Sequence, residues 1–273
     1  YRETNNKSEE IRERLMNAET IDYFAKVAAM KVEALKRNFV GFFVGSMMAG
    51  AYIGFGIILI FTIGSTASPA YQKLVMGVSF GIALTLVVFA GAELFTGHTM
   101  YMSLGWLRRT TSGANLAAVW FIVWVGNLVG AAGLATLFVL GGAGGMVSDS
   151  SSFFSQVASA KMNAPIIELL ARGILCNWLV CLALWMSGRT KNDVAKCIVI
   201  FWCLFAFIAS GFEHSVANMT LFFIALLGEH PATVSLYGMA YNLFWVTLGN
   251  LLAGSVFMAL GYWLYSKAED TKL

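Results

Sequence analysis

Charged residues are scarce in this chain, because Asp, Glu, Lys and Arg together make up only 12% of its 273 residues. A soluble domain carries about twice that share. The low charge, combined with 58% hydrophobic residues, excludes an ordinary soluble protein and indicates a protein embedded in a membrane. The sequence also lacks a basic patch with interleaved aromatic residues, which excludes a nucleic-acid interface.

Sequence motifs for metal binding and catalysis are missing as well. There is no HExxH motif, and the histidines are not grouped with cysteines at ligand spacing, so we expect neither a metal nor a cofactor. The four cysteines lie in apolar segments without a CxxC pair, and we interpret them as small packing residues. A nucleophile and base for an intramembrane hydrolase cannot be assembled, so we expect no enzymatic activity.

Six apolar segments are each long enough to cross a hydrocarbon core of about 30 Å. They cover approximately residues 39–64, 74–103, 115–141, 165–187, 196–228 and 236–265. The second and fifth are too long for one simple helix, and they contain the polar stretches GAELFTGHTM (91–100) and ASGFEHSVANM (209–219). We predict that each consists of two half-helices with an irregular joint, which is tolerated at membrane depth only when buried or lining a cavity.

The two halves of the chain resemble each other. GNLVGAAG at 126–133 corresponds to GNLLAGSV at 249–256, and GAELFTGHT in the second segment corresponds to SGFEHSVAN in the fifth. With three segments per half, the halves must enter the membrane from opposite sides. The sequence therefore predicts an all-α integral membrane fold of six transmembrane helices with an inverted 3+3 repeat. Such a fold places substrate sites near the midplane, at broken helices.

Lys and Arg are distributed unequally over the predicted loops. Eight precede the first segment, two follow the second, three lie between the fourth and fifth, and two follow the sixth. The opposite side holds only Lys73, Lys161 and Arg172. Because cytoplasmic loops carry the excess of positive charge, we expect both termini in the cytoplasm.

Three parts of the chain follow from this topology. We expect a cytoplasmic N-terminal amphipathic helix within residues 1–38, a six-helix channel domain at 39–265 and a cytoplasmic tail at 266–273. The N-terminal helix has an imperfect apolar stripe. It either lies on the membrane surface or on a neighbouring subunit, or it plugs the pore.

Ionisable residues near the bilayer centre cost about 3 kcal/mol each and are therefore candidates for function. Glu93, His98, Glu213 and His214 lie in the two polar stretches. His214 is the strongest candidate, because histidine changes charge near neutral pH and could offer a proton to a weak-acid anion. A neutral, hydrogen-bonded structural histidine is the alternative. We expect the two glutamates to accept backbone N–H bonds at the helix breaks.

Further candidates lie close to the same stretches. Thr96 could hydrogen-bond an anion at the joint, and Lys161 could either draw anions toward the pore or simply set the topology. Four intramembrane amides are interpreted as ties between helices and loops: Asn127, Asn177, Asn218 and Asn250. Asn177 could also face the central histidine.

Four apolar residues flank the polar stretches at helical spacing: Phe80, Leu84, Leu94 and Phe207. They are either ordinary core residues or rings above and below His214. As rings they would form dry constrictions that penalise a bare anion.

The stretches FTGHT, ASGFEHSVANM, LCNWLVCLALWM and VTLGN resemble those of the formate/nitrite transporter family. The resemblance covers essentially the whole chain after residue 38. It implies a homopentamer of aquaporin-like subunits in the bacterial inner membrane, with one pore per subunit and with the second and fifth helices interrupted.

The resemblance also implies roles for single residues. It identifies His214 as the central pore histidine, Thr96 as the threonine of the first break and Lys161 as the vestibule lysine, and it places Asn177 near the histidine. The four apolar residues fall into two groups, with one constriction at Phe80 and Leu84 and the apolar pore lining at Leu94 and Phe207.

Within the family, the chain is most similar to the nitrite-channel branch. Formate channels typically read ADLFTST where this chain has AELFTGHT. The resemblance therefore implies a proton-linked channel for nitrite. A formate or hydrosulfide channel of the same family is the nearest alternative, and a water or glycerol pore and an intramembrane enzyme are more distant ones.

Overall fold

A computed structural model describes residues 2–267, and the side chains it describes are those of residue 13, of 15–143 and of 145–266. Residues 268–273 of the predicted tail lie outside the described residues. All regular elements in the described part are helical. The α-helices are α1 Arg2–Arg37, α2 Phe39–Thr66, α3 Gln72–Ser79, α4 Gly81–Ala90, α5 Phe95–Leu107, α6 Gly113–Leu140, α7 Phe153–Met162, α8 Ile166–Gly188, α9 Asp193–Ala209, α10 Ser215–Leu227, α11 Leu236–Leu252 and α12 Gly261–Lys267. A π-helical segment, Ala253–Leu260, joins the last two.

Within the described residues, five helical segments are long and apolar enough to cross a membrane. They are Phe39–Thr66, Gln72–Ala90, Gly113–Leu140, Ile166–Gly188 and Leu236–Ser266. The protein is therefore a multi-pass membrane protein. The remaining predicted segment, 196–228, is divided between α9 with 17 residues and α10 with 13. Each is shorter than the roughly 20 residues that one straight membrane-spanning helix needs.

Polar caps define where several of these helices begin. The side chains of Asn38, Ser112, Asn192 and Ser235 each accept a hydrogen bond from the backbone N–H three residues later. Such caps satisfy one of the backbone donors that a helix leaves unpaired at its start. The caps lie just before the apolar runs, which is why the observed bounds are close to those expected from sequence.

Two irregular joints interrupt the apolar bundle at the polar stretches. The first joint is residues 91–94, between α4 and α5, and the second is residues 210–214, between α9 and α10. Gly91 has φ 76° and Gly211 has φ 73°. This left-handed conformation is readily adopted by glycine and costly for other residues, so each glycine ends one helix and redirects the chain.

The N-terminal helix α1 packs on the bundle of its own chain. Phe24 is buried, with its ring 4.9 Å from that of Tyr101 and 5.9 Å from that of Trp185. Ile21 and Ala28 of the same face are fully buried, whereas Leu15 is exposed. The sequence left open whether this helix lies on the membrane, on a neighbouring subunit or in the pore. The structure shows that it covers the α5 side of the same chain.

Candidate functional site

A cavity of about 380 Å³ lies beside the first joint and is called the α1 cavity, because α1 forms part of its wall. Its lining includes Lys31 of α1, Leu84 of α4, Glu93 and Leu94 of the first joint and His98 of α5. Lys196, near the start of α9, also reaches it. The α1 cavity is thus lined mainly by the first half of the chain, and it contains charged side chains of both signs.

A second cavity of about 200 Å³ lies beside the second joint and is called the α7 cavity. Its polar lining includes Lys161 of α7, His214 of the second joint and Asn218 of α10, together with Gln72 and Lys73 of α3, and Phe207 contributes to its apolar wall. Because Phe207 lies near the end of α9, the two cavities approach opposite ends of that helix.

Buried apolar side chains surround the space between the two cavities. The rings of Phe80 and Phe207 meet edge to face with centroids 5.5 Å apart, and Phe207 stacks on His214 at 5.9 Å. Leu84 and Leu94 line the end of the α1 cavity. All four predicted apolar residues are at most 3% exposed. The structure therefore places Phe207 and Phe80 beside the histidine, and Leu84 and Leu94 at the wall of the α1 cavity.

His214 occupies the N-cap position of α10, and its ring is hydrogen-bonded at both nitrogens. Nδ1 accepts the backbone N–H of Ala217 at 3.1 Å, and Nε2 lies 3.3 Å from Oγ1 of Thr96. Since Nδ1 accepts, a neutral ring carries its hydrogen on Nε2, which then donates toward the Thr96 hydroxyl. The two joints thus meet at this contact, where Thr96 and His214 are both almost completely buried.

Asn127 of α6 holds the first joint in place. Its Oδ1 accepts the backbone N–H of Phe95 at 2.9 Å, and its Nδ2 donates to the carbonyls of Ser46 at 2.7 Å and Glu93 at 2.9 Å. One amide therefore satisfies backbone groups that the interruption of the helix leaves without partners.

Asn250 of α11 does the same at the second joint. Its Oδ1 accepts the backbone N–H of Ser215 at 3.0 Å, and its Nδ2 donates to the carbonyls of Gly173 at 2.8 Å and Glu213 at 3.1 Å. The interpretation of these asparagines as ties between helices and loops agrees with this geometry.

The expectation for the two glutamates is wrong in its detail, because the asparagines and not the carboxylates accept the backbone N–H groups. Oε1 of Glu93 instead pairs with Nζ of Lys31 at 2.6 Å, and Oε1 of Glu213 pairs with Nζ of Lys161 at 2.8 Å. A carboxylate only accepts, so it cannot also bond the carbonyls that an amide reaches. Lys161, predicted to attract anions, lies at the α7 cavity with a buried carboxylate beside it.

Four polar contacts form a closed ring that connects Lys161, Glu213, Asn218 and Asn242. Asn218 Nδ2 donates to Oε2 of Glu213 at 2.6 Å and lies 2.9 Å from Oδ1 of Asn242, whose own Nδ2 donates to the backbone carbonyl of Lys161 at 2.8 Å. Asn242 is fully buried and was not among the predicted residues. As an intramembrane amide, it could have been found by the criterion that selected the other four.

Asn177 is buried behind the first joint and does not contact His214. Its Nδ2 donates to the Asn250 carbonyl at 2.6 Å and to Oγ1 of Thr99 at 2.9 Å, and it lies 3.4 Å from the carbonyl of Thr96. Asn177 is therefore connected to the histidine only indirectly, through Thr96 and through Asn250, which bonds the backbone N–H of Ser215.

His98 is the second buried histidine of the site. Its Nδ1 is 2.8 Å from the carbonyl of Leu94, and its Nε2 is 3.0 Å from Oε2 of Glu93. The sequence placed His98 in a polar stretch but gave it no role. Lys31, which completes this cluster, was missed because nothing in the sequence links it to Glu93, 62 residues away.

Comparison with known proteins agrees with this architecture. A family model described as "Formate/nitrite transporter" matches residues 19–264. The nitrite transporter NirC of Salmonella typhimurium (strain LT2) is 52% identical over 248 residues, which cover 91% of each chain.

Two solved structures are similar over most of the chain. An "FNT family ion channel" superposes with a TM-score of 0.89 at 52% identity and covers 90% of this chain and 98% of that one. A "pentameric formate channel with formate bound" superposes with a TM-score of 0.69 at 28% identity, over 85% of this chain and 98% of that one. With its two joints, its buried polar site and these relatives, the chain belongs to the formate/nitrite transporter family.

Proposed function

We propose that this protein is a channel for nitrite, a small monovalent weak-acid anion, and not an enzyme. The observation that carries the proposal is the buried contact between Nε2 of His214 and Oγ1 of Thr96, which lies between two cavities and is surrounded by apolar side chains. The similarity to a nitrite transporter at 52% identity supports the choice of anion. A formate channel is the second candidate, because a more distant relative of known structure binds formate.

The charges and apolar rings define a path for the anion. Lys161 attracts it into the α7 cavity; Glu213 holds the ammonium in position, and Asn242 bonds the backbone carbonyl of the same lysine. Beyond it, Phe80 and Phe207 replace water with hydrocarbon. Burial disfavours the charged form of an acid, so the proton affinity of the anion rises as it reaches the histidine.

The bonds of His214 determine what it donates there. A neutral ring with Nδ1 accepting from Ala217 donates a hydrogen bond through Nε2 to Thr96, which leaves the threonine hydroxyl hydrogen free for the anion. A full proton transfer from the ring requires Nδ1 to take up a proton first and give up its bond from Ala217. His214 and Thr96 therefore act as a pair that shares hydrogen with the anion.

The assembly and orientation belong to the same proposal. The relative of known structure that is described as pentameric supports a homopentamer with one pore in each subunit. Relatives from bacteria and the excess of Lys and Arg support an inner-membrane protein with both termini in the cytoplasm.

We propose that α9 and α10 together form the sixth crossing. The matched contacts of Asn127 and Asn250 support the inverted repeat, in a channel domain of residues 39–265 that follows a cytoplasmic helix.

Anion flux into proteoliposomes tests the proposal. Under equal gradients, we expect nitrite to move faster than formate or hydrosulfide, and its flux to rise as the pH falls. His214→Asn retains an acceptor for the N-terminal N–H groups of α10 but removes Nε2, so the pH dependence of uptake from the α7 side should disappear while the pentamer persists.

His230→Asn is the matched control, because His230 is an exposed loop residue whose one hydrogen bond within the described residues joins it to the carbonyl of its neighbour Pro231. It should behave like the wild type. Unchanged pH dependence in His214→Asn would contradict the role of this histidine. Faster formate or hydrosulfide flux would assign the channel to another anion, and flux of uncharged solutes alone would reject an anion channel.

A further inference from the structure

The two joints have the same plan but differ in one chemical group. In each joint a glutamate follows a left-handed glycine and pairs with a lysine through one carboxylate oxygen. At the second joint the other oxygen accepts a hydrogen bond from the neutral amide of Asn218, five residues after Glu213. At the first joint the corresponding position, five residues after Glu93, is His98. At this position, the first joint therefore has a titratable imidazole, whereas the second has a neutral amide.

The contacts of His98 require hydrogens on both ring nitrogens. The carbonyl of Leu94 can only accept, so Nδ1 must donate to it. Nε2 then lies 3.0 Å from Oε2 of Glu93, a carboxylate already paired with Lys31, and neither atom has an aligned hydrogen-bond partner among the described residues. With a neutral ring, two acceptors would face each other in a buried place. An imidazolium removes this conflict and pairs with the carboxylate.

A positive charge on His98 changes the net charge of the side chains that line the α1 cavity. Lys31 and Glu93 neutralise each other, so a protonated His98 leaves one positive charge beside Leu94. At the second joint the corresponding side chain, Asn218, is neutral, and the α7 cavity is lined by Lys73 as well as by the paired Lys161. The other titratable residues lining the α1 cavity in the described structure are Tyr23, Tyr101 and Lys196, and Lys196 is paired with Asp193 at 2.8 Å.

We propose that His98 is a second proton-binding residue of the pore, which holds a positive charge beside Leu94 and attracts the anion into the α1 cavity. This inference rests on the proposed channel function. Loss of this proton would remove the charge, so passage from the α1 side depends on the pH of that side. The side chain is 2% exposed and bonded to the carbonyl of a constriction residue, so the charge is fixed in place.

Nitrogen-15 NMR of the full chain in lipid bilayers tests the protonation state directly. The sequence contains only three histidines, so ¹⁵N-histidine labelling gives three sets of ring signals. At neutral pH we expect one set with the shifts of an imidazolium, and we expect this set to vanish in His98→Asn. In Glu93→Gln it should change to the shifts of a neutral ring, because the carboxylate that stabilises the charge is lost. A neutral His98 at and below neutral pH would overturn the proposal.

Flux measurements test the consequence for transport. His98→Asn gives the first joint the neutral amide that the second joint already has, so it is a matched substitution. In vesicles of one orientation, we expect it to lower nitrite uptake from the α1 side by on the order of tenfold at low pH and to abolish the dependence on pH there. Uptake from the α7 side should keep its pH dependence. The same pH dependence on the α1 side in wild type and variant would refute the inference.

The two assays separate this inference from the proposed function. If the wild type carries none of the anions, the channel proposal fails, while the NMR spectra still decide whether His98 is charged. If the wild type carries nitrite but His98 is neutral, only the inference fails.

Discussion

The asparagines at the two joints illustrate how a membrane protein tolerates irregular backbone. Asn127 and Asn250 are both fully buried, and each bonds one backbone N–H and two carbonyls. Unsatisfied backbone groups are costly where no water is present. Only an amide offers an acceptor and two donors in one short side chain, so we infer that these two residues make the joints possible.

Replacing either asparagine with leucine should destabilise the protein by similar amounts. Leucine has nearly the same size but no polar atoms, and each unsatisfied buried group costs about 1–3 kcal/mol. We therefore expect Asn127→Leu and Asn250→Leu each to lower the thermal unfolding midpoint clearly, with loss of flux.

Asn115→Leu on α6 is the control for this pair, because its side chain makes no hydrogen bond within the described structure. It should leave the midpoint nearly unchanged. A shift in Asn115→Leu as large as in Asn127→Leu would contradict the assignment.

Sequence reasoning identified the polar residues of the site but not their partners. The cost of ionisable groups in a membrane selected Glu93, Glu213 and His214, which lie in the joints, and His98, which lies in the first turn after one of them. That cost says nothing about which group bonds which. The carboxylates were therefore assigned backbone N–H groups that the asparagines accept instead. Contacts such as that between Glu93 and Lys31 depend on how α1 folds back, which no local pattern encodes.

At the level of the helices, the left-handed glycines at the joints should be sensitive to substitution for conformational reasons alone. A Cβ at Gly91 or Gly211 would meet no atom within 4 Å, so alanine causes no clash. Its cost comes from the positive φ and amounts to about 1–2 kcal/mol. We expect Gly91→Ala and Gly211→Ala to lower the unfolding midpoint by similar amounts.

Gly133 provides the matched control, because it lies inside α6 with helical geometry and its Cβ would also meet open space. Gly133→Ala should be neutral or stabilising, since alanine favours a helix by about 1 kcal/mol over glycine. Equal destabilisation in all three variants would show that φ is not the cause.

The helices were predictable to different degrees for physical reasons. The bounds of α2, α6 and α8 were predicted closely, because length and hydropathy decide a crossing. Polar caps precede α2 and α6, and Pro165 precedes α8. The short α7 was missed, although Phe154, Ala158 and Met162 have helical spacing and lie in its buried face. The π-helical segment 253–260 has no pattern that distinguishes it from an α-helix, so it could not be predicted.

At the level of the whole molecule, much of the surface is apolar. Phe55, Phe121 and Leu137 lie on membrane helices and are 50%, 68% and 70% exposed in a single chain. A soluble monomer rarely exposes such continuous apolar surface. Lipid and neighbouring subunits together account for it, which agrees with the proposed pentamer. The charged residues instead collect at loops and joints.

Whether α9 and α10 together cross the membrane can be tested by labelling one residue at each end of the pair. Lys191 lies before α9 and His230 lies after α10, and both are exposed. If the pair crosses the membrane with its start in the cytoplasm, a membrane-impermeant maleimide should label His230→Cys in intact cells. Lys191→Cys should react only after the membrane is opened. Cys197 is the one exposed cysteine of the described residues, so both variants also carry Cys197→Ser.

The outcome decides between two topologies. Residue 230 follows Glu229, whose backbone N–H bonds the Val147 carbonyl at 2.9 Å, so the loops after α6 and α10 lie on the same side. Labelling of both cysteines in intact cells would mean that α9 and α10 form a re-entrant hairpin, and the inverted repeat would then be wrong. Labelling of Lys191→Cys alone in intact cells would mean that this residue, and with it both termini, lies on the outer side of the membrane. The expected pattern requires six crossings, because α9 and α10 are then halves of one membrane span interrupted at His214.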